Sequence, residues 1–159
     1  MSLKDIGFYT LEDARCEGLT YTSPMWRCEM ILTEKCNFKC TYCRGLRPDC
    51  KEDMPLETAM YVLDQWCAQG LKNIRFSGGE PLLYPHLETL VKHAKDRGVE
   101  RIAVSSNGSL PFVRYNRLCE AGVNDFSISL DACCASECDR MSGSTDIRNF
   151  LRIQQNIIE

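Results

Sequence analysis

Cys36, Cys40 and Cys43, in the stretch TEKCNFKCTYCRG that begins at Thr33, stand at the spacing C-x3-C-x2-C, and the next cysteine is Cys50. Thiolates this close in sequence select zinc or iron-sulfur centres. A structural zinc ion wants four ligands, normally paired cysteines or cysteine and histidine pairs. The chain offers only two histidines to make such pairs, His86 and His93, both inside one helical stretch. A [4Fe-4S] cluster needs one ligand on each iron, so three thiolates leave one iron open to an outside ligand. The motif favours the cluster, with zinc as the second choice.

Eleven cysteines in 159 residues are many for a chain without a disulfide framework, and such an excess points to metal or thiol chemistry. They need not share one role. Cys28, Cys67 and Cys119 fall in apolar or helical patterns and read as small buried hydrophobes, while Cys16 and Cys50 read as incidental. The first residues, MSLKDIGFYTLEDARCEG, carry acids and no apolar core of a secretion signal, which predicts the reducing cytoplasm. No apolar run is long enough to cross a bilayer, so no membrane role is expected. Net charge is -3 and the basic residues are scattered, which disfavours nucleic acid as the default partner.

The elements that must position these cysteines alternate. After an irregular leader over 1–26, strand-like runs are followed by helical ones through 27–159, the pattern of parallel strands joined by crossover helices. The expected strands are CEMILT (28–33), NIRFS (73–77), RIAVSS (101–106) and DFSISLD (125–131). Helices are expected from Pro55 to Gly70, with Leu56, Met60, Leu63 and Cys67 on one face, and from Pro85 to Gly98, with Leu87, Leu90, Val91 and Ala94. A third runs from Pro111 to Gly122 with Phe112, Tyr115, Leu118 and Cys119 inward, and a fourth begins near Asp146. The fold class is α/β: a partial (β/α) barrel, with a parallel sheet of about four strands and helices on its outer face. Alternation makes one sheet face apolar and the other polar, carrying Arg75, Ser77, Ser105, Ser127, Ser129 and Asp131. A concave polar face predicts a ligand cavity, with Arg75 as a substrate contact.

The cysteine loop resembles that of the radical S-adenosylmethionine (radical SAM) enzymes. The likeness extends to SGGEP at the end of the second strand, SSNG at the end of the third and SISLD at the end of the fourth. It is strongest toward the branch containing MoaA, of molybdenum-cofactor synthesis, and the peptide-modifying SPASM proteins, and covers the first four strand-helix units of that core. The resemblance implies that Cys36, Cys40 and Cys43 ligate a [4Fe-4S] cluster whose open iron is chelated by S-adenosyl-L-methionine. It places Tyr42 near the adenine and Gly78, Gly79 and Glu80 at the methionine amino group. Ser105, Ser106, Asn107, Ser127, Ser129 and Asp131 would meet the carboxylate and ribose, and Arg140 would pair with the carboxylate. The implied chemistry is one-electron reduction of the sulfonium, homolysis of a carbon-sulfur bond, and hydrogen abstraction by a 5′-deoxyadenosyl radical.

Three partners follow from that reading: a substrate that is a small molecule or a peptide, an electron donor such as flavodoxin or ferredoxin, and, because FSISL would leave an open edge, a second copy or a further subunit. The competing reading is a non-catalytic iron-sulfur or zinc-binding domain or partner subunit. CCASEC adds Cys133, Cys134 and Cys138 on the same rim, expected as free thiols, with a second cluster as the alternative.

Overall fold

The computed structural model describes residues 20–23, 26–43, 52–144, 146 and 148–159. Most of the expected leader, together with Cys16 and Cys50, lies outside the described residues. The elements are β1 (Arg27–Ile31), α1 (Leu56–Ala68), β2 (Asn73–Ser77), α2 (Leu87–Asp96), β3 (Arg101–Ser106), α3 (Phe112–Ala121), β4 (Asp125–Ile128), α4 (Ala135–Ser142) and α5 (Asn149–Ile158). A single turn of tighter helix, Pro81–Leu83, precedes α2. The strands form one parallel sheet in the order β1-β2-β3-β4, as expected of a partial barrel.

Register explains why the two faces differ. Met30, Phe76, Val104 and Phe126 stand side by side across the four strands, and Cys28, Ile74 and Ile102 form the row beneath. This face packs on Leu63 of α1, Leu90 and Val91 of α2, and Tyr115 and Leu118 of α3 in one continuous core. The opposite face carries a row of Glu29, Arg75, Ala103 and Asp125, and above it Ile31, Ser77, Ser105 and Ser127. An alternating β pattern in a parallel sheet thus leaves a polar inner face, opposite the side the helices cover.

Three expectations need correction. The fourth strand stops at Ile128 and does not reach Asp131, because β3, its ladder partner, ends at Ser106; only Ser129 N-H still bonds to the Ser106 carbonyl, at 2.9 Å. The third helix buries Tyr115, Leu118 and Ala121, whereas Phe112 and Cys119 are exposed, since they stand about a quarter turn or more from the stripe that meets the sheet. The sequence reading also contained no α4. Cys138 and Ser142 are its buried positions, but the helix is short and mostly polar, so its periodic signal is weak.

Phe76 is fully buried at the centre of the sheet. Phe76→Ala is expected to lower unfolding free energy by about 3–5 kcal/mol through lost burial and a residual cavity. A urea midpoint that moves by less than the equivalent of about 1 kcal/mol would show that this face is not the core.

Candidate metal and cofactor site

The chain leaving β1 enters the cysteine loop by lying directly on the turn after β2. Gly79 N-H donates to the Thr33 carbonyl at 2.7 Å, and Glu80 N-H to the Lys35 carbonyl at 2.8 Å. No side chain fits between these backbones. A Cβ on Gly78 would stand 2.4 Å from the Thr33 oxygen, and one on Gly79 2.3 Å from the Lys35 oxygen. The glycine pair is therefore required by close backbone approach, and Gly78 itself remains exposed.

The base of the loop is clamped by charge. Thr33 Oγ1-H donates to Asp53 Oδ1 at 2.6 Å, Lys35 Nζ contacts Asp53 Oδ2 at 2.7 Å, and Lys35 N-H donates to Thr33 Oγ1 at 3.0 Å. Burial opposes ionisation of Asp53, but the Lys35 ammonium and the Thr33 hydroxyl outweigh it and hold the carboxyl below its ordinary range.

Two further contacts hold the loop from the side. Asn107, just past β3, donates through Nδ2 to Asn37 Oδ1 at 2.9 Å and lies 3.9 Å from Cys36 Sγ, while Asn37 Nδ2 reaches Ser109 Oγ at 2.8 Å. On the far side Lys39 N-H donates to the Ser142 carbonyl at 2.7 Å and Thr41 N-H to the Met141 carbonyl at 3.2 Å, so the C-terminal end of α4 grips the loop backbone. Phe38 is buried with Cys138, Phe150 and Ile153, against Cys36 and Cys40. Asn37, Phe38, Ser109 and Ser142 were not singled out in the sequence, although Asn37 and Phe38 sit inside the motif itself.

The loop thereby brings three thiols together. Burial pushes the Cys36 thiol up, and the charges of Glu80, Cys40 and Cys43 add to the rise. Cys40 is likewise pushed up, first by burial, with Cys43 contributing. Among the described residues, however, no three cysteine, histidine or acidic side chains converge on a single metal-ion position. Each described cysteine is a free thiol. Three thiols in one loop are the donor set that a [4Fe-4S] cluster with one open iron takes.

Other expected residues divide by the direction they face. Glu80 is fully buried and raised by burial, and its carboxylate accepts from Asn107 N-H at 2.8 Å, Ser106 Oγ-H at 3.0 Å and Leu82 N-H at 3.1 Å. It ties the end of β3 to the turn after β2. Ser106 is turned into the core, where its hydroxyl also meets Tyr115 Oη at 3.1 Å, so it is engaged within the protein. Ser105 and Ser127 lie on the concave face, and Ser129 and Asp131 continue its rim. Tyr42 interacts with Asp131 and Cys40, and burial and these partners push its phenol up. Cys40, Tyr42, Asn107, Ser129 and Asp131 line one small cavity of about 40 Å³ between the cysteine loop and the end of β4. Arg140 lies on the exposed side of α4, 3.6 Å from Glu137.

Two outcomes check this geometry. Gly79→Ala should displace the loop entry, destabilising the fold by more than about 1 kcal/mol and exposing the Glu80 amide to hydrogen exchange, whereas unchanged protection would show that the close approach is dispensable. For Asp53, the stabilisation is complete above the ordinary carboxylate value of about 4 and is lost as pH falls through its lower folded value. Asp53→Asn should remove that acid-dependent component; identical acid-unfolding curves for both proteins would contradict the clamp.

Comparison with known proteins agrees with this geometry. The family profile of the radical SAM superfamily matches residues 30–157. GTP 3′,8-cyclase of Chlorobaculum tepidum is 35% identical over 110 residues, covering 64% of this chain and 32% of the relative. GTP 3′,8-cyclase of Synechococcus sp. is 33% identical over 137 residues, covering 84% of this chain and 40% of the relative. The chain spans well under half the length of either. Among solved structures, anSMEcpe with bound AdoMet and a peptide superposes with a TM-score of 0.66 at 17% identity, over 84% of this chain and 39% of that one. Methylornithine synthase gives 0.63 at 13% identity, over 86% and 42%. These likenesses show the fold of a (β/α) barrel, and with the family match they establish that this chain belongs to the radical SAM superfamily.

Proposed function

We propose that this chain is the cluster- and cofactor-binding core of a radical SAM enzyme. The observation that carries the reading is the cysteine loop: three cysteines on one loop that is docked on the ends of β2, β3 and α4, beside a polar sheet face. In this reading Cys36, Cys40 and Cys43 hold three irons of a [4Fe-4S] cluster, and S-adenosyl-L-methionine takes the fourth. When bound, that pair supplies one-electron cleavage of the sulfonium to a 5′-deoxyadenosyl radical, which takes hydrogen from the substrate.

The chain's own residues bind, orient and exclude water. Phe38 and its apolar neighbours shield the loop from solvent on the α4 and α5 side. Asn107 and Asn37 fix the loop's first half against β3. Ser105, Ser127, Ser129 and Asp131 present hydroxyls and a carboxylate toward the concave face, where the polar parts of the cofactor would lie. Tyr42 closes over Asp131. Glu80 acts through position: by holding Asn107 and Ser106 it fixes the turn that carries them. The reading includes a substrate that is a small molecule or a peptide, an electron donor of the flavodoxin or ferredoxin class, and a reducing cytoplasmic setting suited to free thiols. Among the described residues, no helix is long and apolar enough to cross a membrane.

The competing reading is a cluster-binding domain or partner subunit without turnover. Anaerobic reconstitution with iron and sulfide, then dithionite and S-adenosyl-L-methionine, separates the two. The enzyme reading expects 5′-deoxyadenosine, and a loaded cluster with no cleavage supports the second. Cys40→Ala should reduce bound iron to background; retention of full iron and product would remove the assignment. Ser127→Ala should weaken cofactor binding about 2- to 10-fold, the range of one lost hydrogen bond.

A further inference from the structure

Cys133 and Cys134 take no part in the site above. They are adjacent, both exposed, and stand immediately before α4. The Cys133 N-H donates to Glu137 Oε2 at 2.9 Å, and Cys134 is the residue that caps α4, extended at φ -156° and ψ 168°, its sulfur 3.3 Å from Ser136 Oγ. Their thiols contact each other. Cys138 is separate: it is buried with Phe38, Phe150 and Ile153.

The pair is chemically unequal. The Ser136 hydroxyl and the Glu137 amide push the Cys134 thiol down, whereas hydrogen bonds to Glu137 and Cys134 push Cys133 up to about 11. One sulfur is thus the better nucleophile and its neighbour keeps its proton until needed. We propose that Cys133 and Cys134 form a redox-active vicinal dithiol that exchanges with small-molecule disulfides and, when closed, loosens the grip of α4 on the cysteine loop.

The steps balance. The Cys134 thiolate attacks one sulfur of an external disulfide such as glutathione disulfide, and the departing thiolate takes up the proton that Cys134 released. Cys133 then loses its proton and attacks the Cys134 sulfur of the mixed disulfide, expelling the second thiol. Two protein thiols are oxidised and one external disulfide is reduced to two thiols. Neighbouring Cα atoms are about 3.8 Å apart, shorter than the usual disulfide span of about 4.4–6.8 Å, so the bond forms under strain and is readily reduced again. Relief of that strain falls on the extended Cys134 backbone and on the Cys133 to Glu137 bond, which together start α4. The same eight-residue helix ends on the carbonyls of Met141 and Ser142, which hold Thr41 and Lys39.

The full chain, prepared reduced and without oxygen, is treated with glutathione disulfide and mapped by fragmentation mass spectrometry. The expected result is loss of two hydrogens localised to Cys133 and Cys134, retained in Cys138→Ser and reversed by dithiothreitol, with Cys133→Ser halting at a glutathione adduct on Cys134. Amide exchange at Lys39 and Thr41, followed by NMR, should quicken about tenfold on oxidation, but not in a Cys133→Ser/Cys134→Ser double variant. Both thiols remaining open to alkylation, a bond to Cys138 instead, or unchanged exchange at Lys39 and Thr41 would overturn the proposal. Neither readout requires iron or cofactor, so it fails or stands independently of the proposed function.

Discussion

The site depends on two backbones meeting where no side chain can fit. Gly78 and Gly79 let the carbonyls of Thr33 and Lys35 rest on the turn after β2, and that contact sets the height at which the cysteine loop begins. Everything above it is alignment. The Thr33, Lys35 and Asp53 clamp closes the base, the asparagines pin one flank, and α4 pins the other. A loop of this length has little stability of its own and gains its shape from surroundings that satisfy its backbone groups. The cost of binding is lower when three thiols are already near one another.

Glu80 shows how a motif residue is fixed from within the protein. Burying a carboxylate is expensive unless every oxygen is occupied, and here three donors satisfy it. The result is a rigid bridge between the ends of β2 and β3, the two strands on which the concave face depends. Gly143 plays a comparable part at α4: with φ of 60° it ends the helix in the left-handed region, and a Cβ there would lie 3.0 Å from the Lys39 carbonyl. Glycines thus appear on both sides of the loop, each where another backbone passes.

Much of this was legible in residue order. The parallel sheet, the three main helices and the apolar stripe of Leu87, Leu90, Val91 and Ala94 follow from periodicities of 2 and 3.6 residues. The grouping of Cys36, Cys40 and Cys43 in one loop follows from their spacing. What could not be read were contacts that spacing does not encode. Ser106 lies on the apolar side of its strand, yet its hydroxyl is taken up by Glu80 and Tyr115, partners that its spacing does not reveal. The role of Asn37 depends on Ser109 and Asn107, far away in sequence but adjacent across the sheet's upper rim. α4 was hidden because its polar surface gives only a narrow stripe.

The central claim is that three thiolates hold a cubane whose fourth iron is left for the cofactor. Mössbauer spectroscopy of anaerobically reconstituted, iron-57-labelled protein tests it most directly. The account predicts a [4Fe-4S] signature in which one iron becomes distinct from the other three on adding S-adenosyl-L-methionine. A single-ion thiolate site, or a cluster whose four irons do not respond to the cofactor, would contradict it.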